Sequence, residues 1–196
     1  MSREYKKRKR AQQEEETRRR ITEAAVELHG SVGPARTTMS AVAERAGVQR
    51  ATLYRHFPDD FALFGACSAH WAALHPPPDP VSWAEIADPD ERLRTALGDL
   101  YAWYASDEVM FMNVFRDASL VPAMGPAIER RVERFNEQLA AIMRGRPERG
   151  RARKRVQAAI AHAASFQTWL ALARGGGLTD EEAVTVAAGM VAAAGE

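Results

Sequence analysis

Cysteine, long apolar runs and sustained alternation of apolar and polar residues are rare in or missing from this sequence. The single cysteine, Cys67, cannot form an internal disulfide. It lies in an apolar stretch, so we expect a small buried side chain rather than a nucleophile. No apolar run reaches the roughly 20 residues that span a bilayer. The first residues are polar and basic, unlike a secretory signal. These absences predict a cytoplasmic protein with no membrane segment.

The sequence patterns of common enzymes are also missing. There is no Gly-rich phosphate loop, no HExxH and no G-x-S-x-G. Among the five histidines, His70 and His75 are five residues apart, which places them on different faces of a helix. No cysteine accompanies them at metal-binding spacing. We therefore expect no catalytic residues, no metal and no cofactor, and interpret the histidines as ordinary surface or core residues.

Helical periodicity is what the sequence does contain. Apolar residues recur at i, i+3, i+4 and i+7 in segment after segment, and no segment alternates with period two. The pattern predicts an all-α protein. We expect a basic, disordered arm over residues 1–13, a three-helix domain over 14–58, and a larger helical domain over 59–196. The last two predicted helices span 151–174 and 180–195.

Charge is unevenly distributed between the predicted domains. Residues 1–57 contain 13 Lys and Arg against 7 Asp and Glu, whereas the remainder contains 14 against 19. A basic end suits a polyanion such as DNA, and the acidic remainder does not. The arm contains the run Lys6–Arg10, which could be a solvated tail, a contributor of phosphate or minor-groove contacts, or a segment that orders only on binding.

The stretch TTMSAVAERAGVQRATLYRHF, residues 37–57, indicates a helix-turn-helix. Thr37 or Thr38 can cap a first helix, and Gly47 ends it where a positive φ is needed. A second helix is predicted from Val48, with Leu53 and Phe57 facing the core. This second helix contains no acid, as expected of a helix that lies against phosphates. Spacing alone would also allow an ordinary helical hairpin.

The residues within the motif are more specific than its spacing. Ala-x-x-Ala-Gly-Val followed by Thr-Leu-Tyr-x-His-Phe resembles the tetracycline-repressor-like (TetR) family of bacterial transcription regulators, from about Arg18 to Leu63. The resemblance implies a homodimeric regulator, usually a repressor, released from operator DNA by a small ligand. On this interpretation residues 14–58 are the helix-turn-helix DNA-binding domain, and residues 59–196 are the helical ligand-binding, regulatory and dimerisation domain. The resemblance also implies that Tyr54 and His56 hold phosphates. Asp60 departs from the family, where a lysine that touches phosphate is common.

Two groups of site residues follow from this interpretation. For Arg50, early in the second helix, we predict a contact with a guanine edge. Aromatic residues between Trp71 and Trp169 could be plain core or could line a cavity for a hydrophobic or aromatic ligand, with Tyr104 as its polar anchor. The predicted DNA-binding residues are Thr38, Gln49, Arg50, Thr52, Tyr54, Arg55 and His56, and the predicted ligand-binding residues are Trp103, Tyr104, Phe111, Phe115 and Trp169.

Alanine-rich stripes on the last two helices predict the dimer interface, because small residues let helices approach closely. On this interpretation Ala163 and Ala187 face the partner. A second hypothesis is a helical ligand-binding or scaffold protein whose helix-turn-helix serves protein contacts. The acid-free second helix argues against this alternative, and a gel shift with the DNA upstream of the protein's own gene separates the two.

Overall fold

The computed structural model describes residues 3–196, with side chains from Glu4 onward. Its described part contains eleven α-helices and no strand, which confirms the all-α prediction. The helices are α1 Arg3–Ser31, α2 Met39–Arg45, α3 Arg50–His56, α4 Asp60–Leu74, α5 Pro80–Ala84, α6 Pro89–Ser106, α7 Glu108–Asp117, α8 Gly125–Met143, α9 Gly150–Ala163, α10 Phe166–Trp169 and α11 Asp180–Gly195.

The chain divides into two compact units whose boundaries differ from the predicted ones. The first unit contains the residues up to His75 together with Val109–Glu129, and the second contains Pro76–Glu108 and Arg130–Glu196. Thus α4 and most of α7 belong with the helix-turn-helix, whereas the sequence patterns predict a separate domain for everything after residue 58. No helix in the described part of the chain has both the length and the apolarity to cross a bilayer.

The first unit is built around one apolar core. Ile21 and Ala25 of α1, Val42 of α2, and Leu53 and Phe57 at α3 have essentially no exposed surface. The apolar residues that recur with helical periodicity in α1, α2 and α3 are therefore the ones that form this core. Helix α4 packs along α1 through Leu63, Phe64 and Cys67. Burial raises the pKa of the Cys67 thiol to about 12, so this cysteine is an unreactive core residue.

Helix α1 is much longer than the periodicity predicts. The apolar pattern indicates a start near residue 14, with a disordered arm before it, yet the helix begins at Arg3. Residues 4–13 contain neither glycine nor proline, and an ion pair four residues apart, Arg10 to Glu14 at 3.0 Å, supports the extension. These residues are exposed, so no apolar stripe marks the helix there. The arm's first two positions, 1 and 2, lie outside the described residues.

Helix α4 differs from the prediction in its exposed residues. The sequence suggests a helix buried nearly all round, with Phe61 packed on the DNA-binding end and Leu74 in the regulatory core. In the structure Phe61 is 53% exposed and Leu74 is 63% exposed. Phe61 follows the N-cap Asp59 by two residues, so it lies in the first turn of the helix, and Leu74 is the last helical residue. Both ends of α4 therefore reach solvent, and only its middle is buried.

In the second unit α11 packs against both α9 and α6. The core stripe of α6 is as predicted, since Leu93, Leu97, Leu100, Tyr101 and Tyr104 are all buried. The predicted signals at its start are confirmed as well: Asp88 accepts hydrogen bonds from the backbone of Asp90 and Glu91. Thr179 and Glu182 form the predicted capping box of α11.

The prediction of one long helix over residues 151–174 is wrong, because α9 ends at Ala163 and a second helix begins at Phe166. Ser165 accepts a hydrogen bond from the Thr168 backbone and starts the short helix α10, which continues as a π-helical segment, Leu170–Gly175. The Tyr101 and Tyr104 hydroxyls donate to the carbonyls of Ala163 and Ala164, both at 2.8 Å. Side chains from α6 therefore satisfy carbonyls at the end of α9.

Candidate functional site

The turn between α2 and α3 has the geometry that a helix-turn-helix requires. Thr38 caps α2 by accepting a hydrogen bond from Ala41. At the other end the Gly47 N–H donates to Glu44 and the Val48 N–H donates to Ala43, at 3.0 and 2.9 Å. This pair of bonds is a Schellman motif, and Gly47 takes the positive φ, 65°, that it needs. Helix α3 begins at Arg50, two residues later than predicted, because Gln49 still has extended backbone.

Two arginines of α1 hold the motif, one at its turn and the other at the end of α3. The Arg20 guanidinium donates to the carbonyls of Ala46 and Gly47 in the turn. The Arg18 guanidinium donates to the His56 carbonyl at 2.9 Å and lies over the Phe57 ring, 4.2 Å from its centroid. The sequence patterns assign no role to these arginines. Arg18 lies three residues before the buried Ile21, and Arg20 lies one residue before it. This closeness to a core residue is the feature of the sequence that indicates an inward direction for both side chains.

The predicted DNA-binding residues share one exposed surface of this unit. Gln49, Arg50, Tyr54 and Arg55 are exposed on α3, and Thr52 and His56 are half-buried beside them. Thr38 is exposed at the start of α2. The Arg50 guanidinium lies 5.9 Å from the Tyr54 ring centroid. The structure thus brings together hydrogen-bond donors and two cations on a face of α3 that contains no acid.

His56 has an unusual environment at the end of α3. Its Nε2 is buried and has no hydrogen-bond partner within the described part of the chain. Burial lowers the pKa of the imidazole, and Arg55 and Arg18 lower it further, while Glu14 and Glu15 oppose them. The ring is therefore neutral at pH 7. Because Nε2 is shielded, a phosphate contact from the imidazole would use Nδ1.

Helix α7 clamps the segment that leads into the helix-turn-helix. The Asn113 amide donates to the carbonyls of His29 and Gly30, at 3.0 and 2.9 Å. The buried Asp117 carboxylate accepts from the Ala35 backbone at 2.9 Å. Arg116 donates to the same carboxylate and to the Val32 carbonyl. No local pattern in the sequence predicts these contacts, because the side chains of α7 lie about 80 residues after the backbone groups that they bind.

The second unit contains an aromatic cluster, which we define as Trp103, Tyr104, Phe166 and Trp169. The Tyr104 ring lies 5.5 Å from Phe166 and 6.1 Å from Trp169, measured between centroids. Trp169 is fully buried, and its Nε1 donates to Asp180 at 2.8 Å. Burial lowers the pKa of the neighbouring Arg131 guanidinium, and Tyr104 opposes this shift. The cluster is an aromatic core with a cation beside it.

The predicted ligand-binding residues fall in both units. Trp103, Tyr104 and Trp169 belong to the aromatic cluster of the second unit. Phe111 and Phe115 lie on α7 in the first unit, where Phe111 is buried against Trp71 with ring centroids 5.5 Å apart. The Tyr104 hydroxyl, predicted as a ligand anchor, instead donates to the Ala164 carbonyl. Within residues 3–196 no three His, Cys, Asp or Glu side chains gather as metal ligands would.

Comparison with known proteins agrees with this geometry. Residues 21–67, which contain α2, α3 and the core-forming half of α1, match the model for bacterial regulatory proteins of the tetR family. No curated protein matches the chain.

Solved structures share the fold over nearly the whole length. A TetR-like transcriptional regulator from Rhodococcus sp. RHA1 superposes with a TM-score of 0.66 at 19% identity, covering 92% of this chain and 97% of that one. The multidrug binding protein EbrR, solved with imidazole, gives a TM-score of 0.54 at 22% identity and covers 89% of each chain. The chain therefore contains a helix-turn-helix domain of the kind found in bacterial regulatory proteins of the tetR family, and it shares the fold of solved TetR-like regulators.

Proposed function

We propose that this regulator is a repressor that binds its operator as a homodimer and is released by a small hydrophobic or aromatic ligand. The observation that carries the DNA-binding half is the exposed, acid-free surface of α3, in a motif held by Arg20 at its turn and by Arg18 at the end of α3. Such a rigid helix can enter a major groove in a fixed register. The regulator meets its operator in the cytoplasm, and we assign it no catalytic activity.

Each residue on the DNA-binding face has a proposed contact. Arg50 lies in the first turn of α3, the part of a recognition helix that reaches base edges, and its guanidinium can pair with guanine O6 and N7. Gln49 precedes it and can reach an adjacent base. The remaining donors hold the sugar-phosphate backbone and fix the register of α3: Thr38, Thr52, Tyr54, Arg55 and His56.

The dimer interface needs an apolar surface that the single chain leaves open. Ala163 and Ala187 do not provide it, because both are buried inside the chain at 1% and 0% exposure. The exposed face of α11 does: Val186 and Met190 are 42% and 45% exposed, and Gly189 lies on the same face. Exposed Ala158 of α9 adds a second small residue. We propose that these faces of α9 and α11 pack on their copies in a partner.

The effector site that we propose is the aromatic cluster of the second unit. The helix break at Ser165 and the π-helical segment adjoin it, and such irregular segments often accompany ligand sites. A flat ligand could stack on Phe166 and Trp169 and donate a hydrogen bond to the Tyr104 hydroxyl oxygen, whose own proton stays in its hydrogen bond to the Ala164 carbonyl. Arg131 disfavours a cationic ligand and favours a neutral or anionic one. That the multidrug binding protein EbrR has this fold supports a small-molecule role for these helices.

Release requires an element that both bears on the DNA-binding motif and responds to the ligand. The clamp from α7 to the carbonyls of His29 and Gly30 fixes the end of α1, and α1 in turn holds the motif through Arg18 and Arg20. We propose that ligand binding changes the separation of the two recognition helices of the dimer, which DNA holds at about 34–36 Å. By linkage, operator DNA must weaken ligand binding by the same factor.

The test combines operator binding with ligand binding on the full-length protein. The DNA upstream of the protein's own gene is titrated in a gel shift, with and without a panel of neutral, anionic and cationic aromatic compounds. Tryptophan fluorescence is followed for the same compounds, since Trp103 and Trp169 lie in the cluster. We expect one neutral or anionic compound to quench fluorescence and release the operator. Failure to bind any DNA with palindromic half-sites would overturn the first half, and quenching without release would overturn the second.

A further inference from the structure

An open cleft lies at the far end of α8, where the loop of residues 144–149 joins it to α9. Its volume is about 840 Å³, within the usual range for small-molecule sites. One wall is apolar and consists of Leu139, Ala140 and Met143 from the last turns of α8. We call this space the arginine cleft, because its other wall is formed by Arg144, Arg146, Arg149 and Arg153. None of the aromatic-cluster residues lines it.

The charge on the cleft is positive after its acids are counted. Arg146 Nη2 contacts Asp90 at 3.1 Å, but the Asp90 side chain is 79% exposed and lies in solvent. Glu148 Oε1 is 3.6 Å from Arg146 Nη1. The cleft thus has four guanidinium groups and only two carboxylates nearby, both of them in contact with Arg146. An arrangement of this kind attracts anions, and guanidinium groups bind carboxylates with paired, charge-assisted hydrogen bonds.

Arg146 is the residue that marks the cleft as more than a basic surface. It is only 6% exposed, although arginine is seldom buried. Its Nε–H has no hydrogen-bond acceptor among residues 4–196, while Nη2 donates to the Pro89 carbonyl at 3.1 Å. Because this guanidinium is poorly hydrated, water screens its positive charge less than that of an exposed arginine, and an anion in the cleft is attracted more strongly.

The loop that carries these side chains is held in place. Arg149 Nη1 donates to the carbonyls of Arg146, Pro147 and Glu148, at 3.1, 2.8 and 2.9 Å. The buried Arg92 donates to the Arg144 carbonyl from α6. Gly145 ends α8 with a φ of 72°, which turns the chain sharply into the loop. A ligand therefore meets a preorganised wall and loses little free energy in ordering it.

We propose that the arginine cleft binds an amphipathic carboxylate. The carboxylate accepts hydrogen bonds from the Arg153 guanidinium, close to the buried positive charge of Arg146, and the apolar chain lies along Leu139, Ala140 and Met143. This site is separate from the aromatic cluster and does not depend on the identity of the effector that binds there. A free inorganic anion would leave the apolar wall without a contact, and a neutral apolar compound would leave the arginines without one.

The experiment is calorimetric titration of the full-length protein with octanoate, 1-octanol and inorganic phosphate. Octanoate provides both the charge and the chain, and the other two provide one each. We expect octanoate to bind at least about tenfold more tightly than either, because both the charged hydrogen bonds and the chain contacts contribute. If phosphate binds as tightly as octanoate, the chain contact is contradicted. If 1-octanol binds as tightly as octanoate, the carboxylate contact is contradicted. If octanoate does not bind at millimolar concentration, the site itself is contradicted.

Two matched variants locate the binding. Arg153→Gln removes a guanidinium that lines the cleft, and Arg151→Gln removes one in the same turn of α9 that does not. We expect octanoate affinity to fall about tenfold in Arg153→Gln and to stay unchanged in Arg151→Gln. Leu139→Asn should weaken octanoate without changing phosphate. Thermal melting by circular dichroism checks that each variant is folded. An equal decrease in the two arginine variants, or no decrease in Arg153→Gln, would contradict the assignment.

Discussion

Arg50 and Tyr54 lie one turn apart on α3 and should affect DNA binding in different ways. Arg50→Ala removes the proposed guanine contact, so we expect binding to weaken by about 1–3 kcal/mol at the preferred operator and the ranking of operator variants to flatten. Tyr54→Phe removes one phosphate donor and should weaken all sites alike. Gel shifts on a set of single-base operator variants measure both effects. An unchanged ranking in Arg50→Ala would exclude it as the base-reading residue.

His56 should make operator binding depend on pH. The pKa of its imidazole is lowered in the free protein, first by burial and then by Arg55 and Arg18, against Glu14 and Glu15. A phosphate beside the ring would raise that pKa, so binding takes up a proton and affinity rises as the pH falls from the raised pKa of the complex towards the lowered pKa of the free protein. For one proton the change is at most about tenfold per pH unit.

The variant His56→Gln is the control for this dependence. Glutamine keeps a hydrogen-bond donor but does not titrate, so its operator affinity should vary less over the same pH range. Fluorescence anisotropy with labelled operator at fixed salt gives the two profiles. Identical slopes for the wild type and His56→Gln would show that the proton is taken up elsewhere.

At the scale of single elements, the break between α9 and α10 offers a matched pair of tyrosines. Tyr101 and Tyr104 each donate a hydrogen bond to one carbonyl at the end of α9. Replacing either by phenylalanine leaves a buried carbonyl without its donor, and we expect the free energy of unfolding to decrease by about 1–3 kcal/mol for both. Urea denaturation measures it.

Only one of the two tyrosines belongs to the proposed effector site. If Tyr104 anchors the ligand, Tyr104→Phe should weaken effector binding in the fluorescence titration while Tyr101→Phe, equally destabilised, should not. Equal effects on effector binding would show that the variants act through stability alone, and would place the effector away from the Tyr104 ring.

Elements with local signals are predicted well by the sequence, and elements fixed by distant contacts are not. Thr38, Gly47, Asp59, Asp88 and the pair Thr179–Glu182 bound their helices as their side chains and backbone preferences dictate. The break at Ala164 and Ser165 contains no glycine or proline. It depends on hydroxyls about 60 residues away in sequence, which no local pattern contains.

The site shows the same division. The polar, acid-free surface of α3 follows from residue types within one short stretch, and Arg50, Tyr54 and Arg55 are exposed on it. The clamps by Arg18, Arg20, Asn113 and Asp117 have no sequence signature because their partners are backbone carbonyls and N–H groups. Every residue has such groups, so a sequence does not reveal which of them a side chain will meet.

At the scale of the whole molecule, the basic start of α1 should contribute to the salt dependence of DNA binding. Lys6–Arg10 are exposed on a helix, so glutamine at all five positions preserves helix propensity while removing charge. Removing one phosphate contact lowers the slope of log affinity against log salt by about 0.9. We expect a decrease of at least about 2 in this variant, from the two or more phosphates that the segment would reach. Glutamine at the exposed Arg130 and Arg134 of α8 is the control, and equal slopes in all three proteins would exclude a contact by this segment.

Dimerisation is the property on which operator recognition by the whole molecule depends, since two half-sites need two copies of α3 in successive grooves. Met190→Glu puts a charge on the exposed face of α11 without touching the chain's own core, so we expect a folded monomer that binds the operator poorly. Ala187→Glu is different: Ala187 is fully buried within the chain, so this change should lower the melting temperature itself. Ala102→Glu, at an exposed position of α6, should change neither property. Light scattering at micromolar concentration, thermal melting and gel shifts distinguish the three variants. A monomeric wild type would contradict the proposed dimer. A Met190→Glu protein that remains dimeric would move the interface away from α11, because a glutamate desolvated on a two-fold axis would face its own copy.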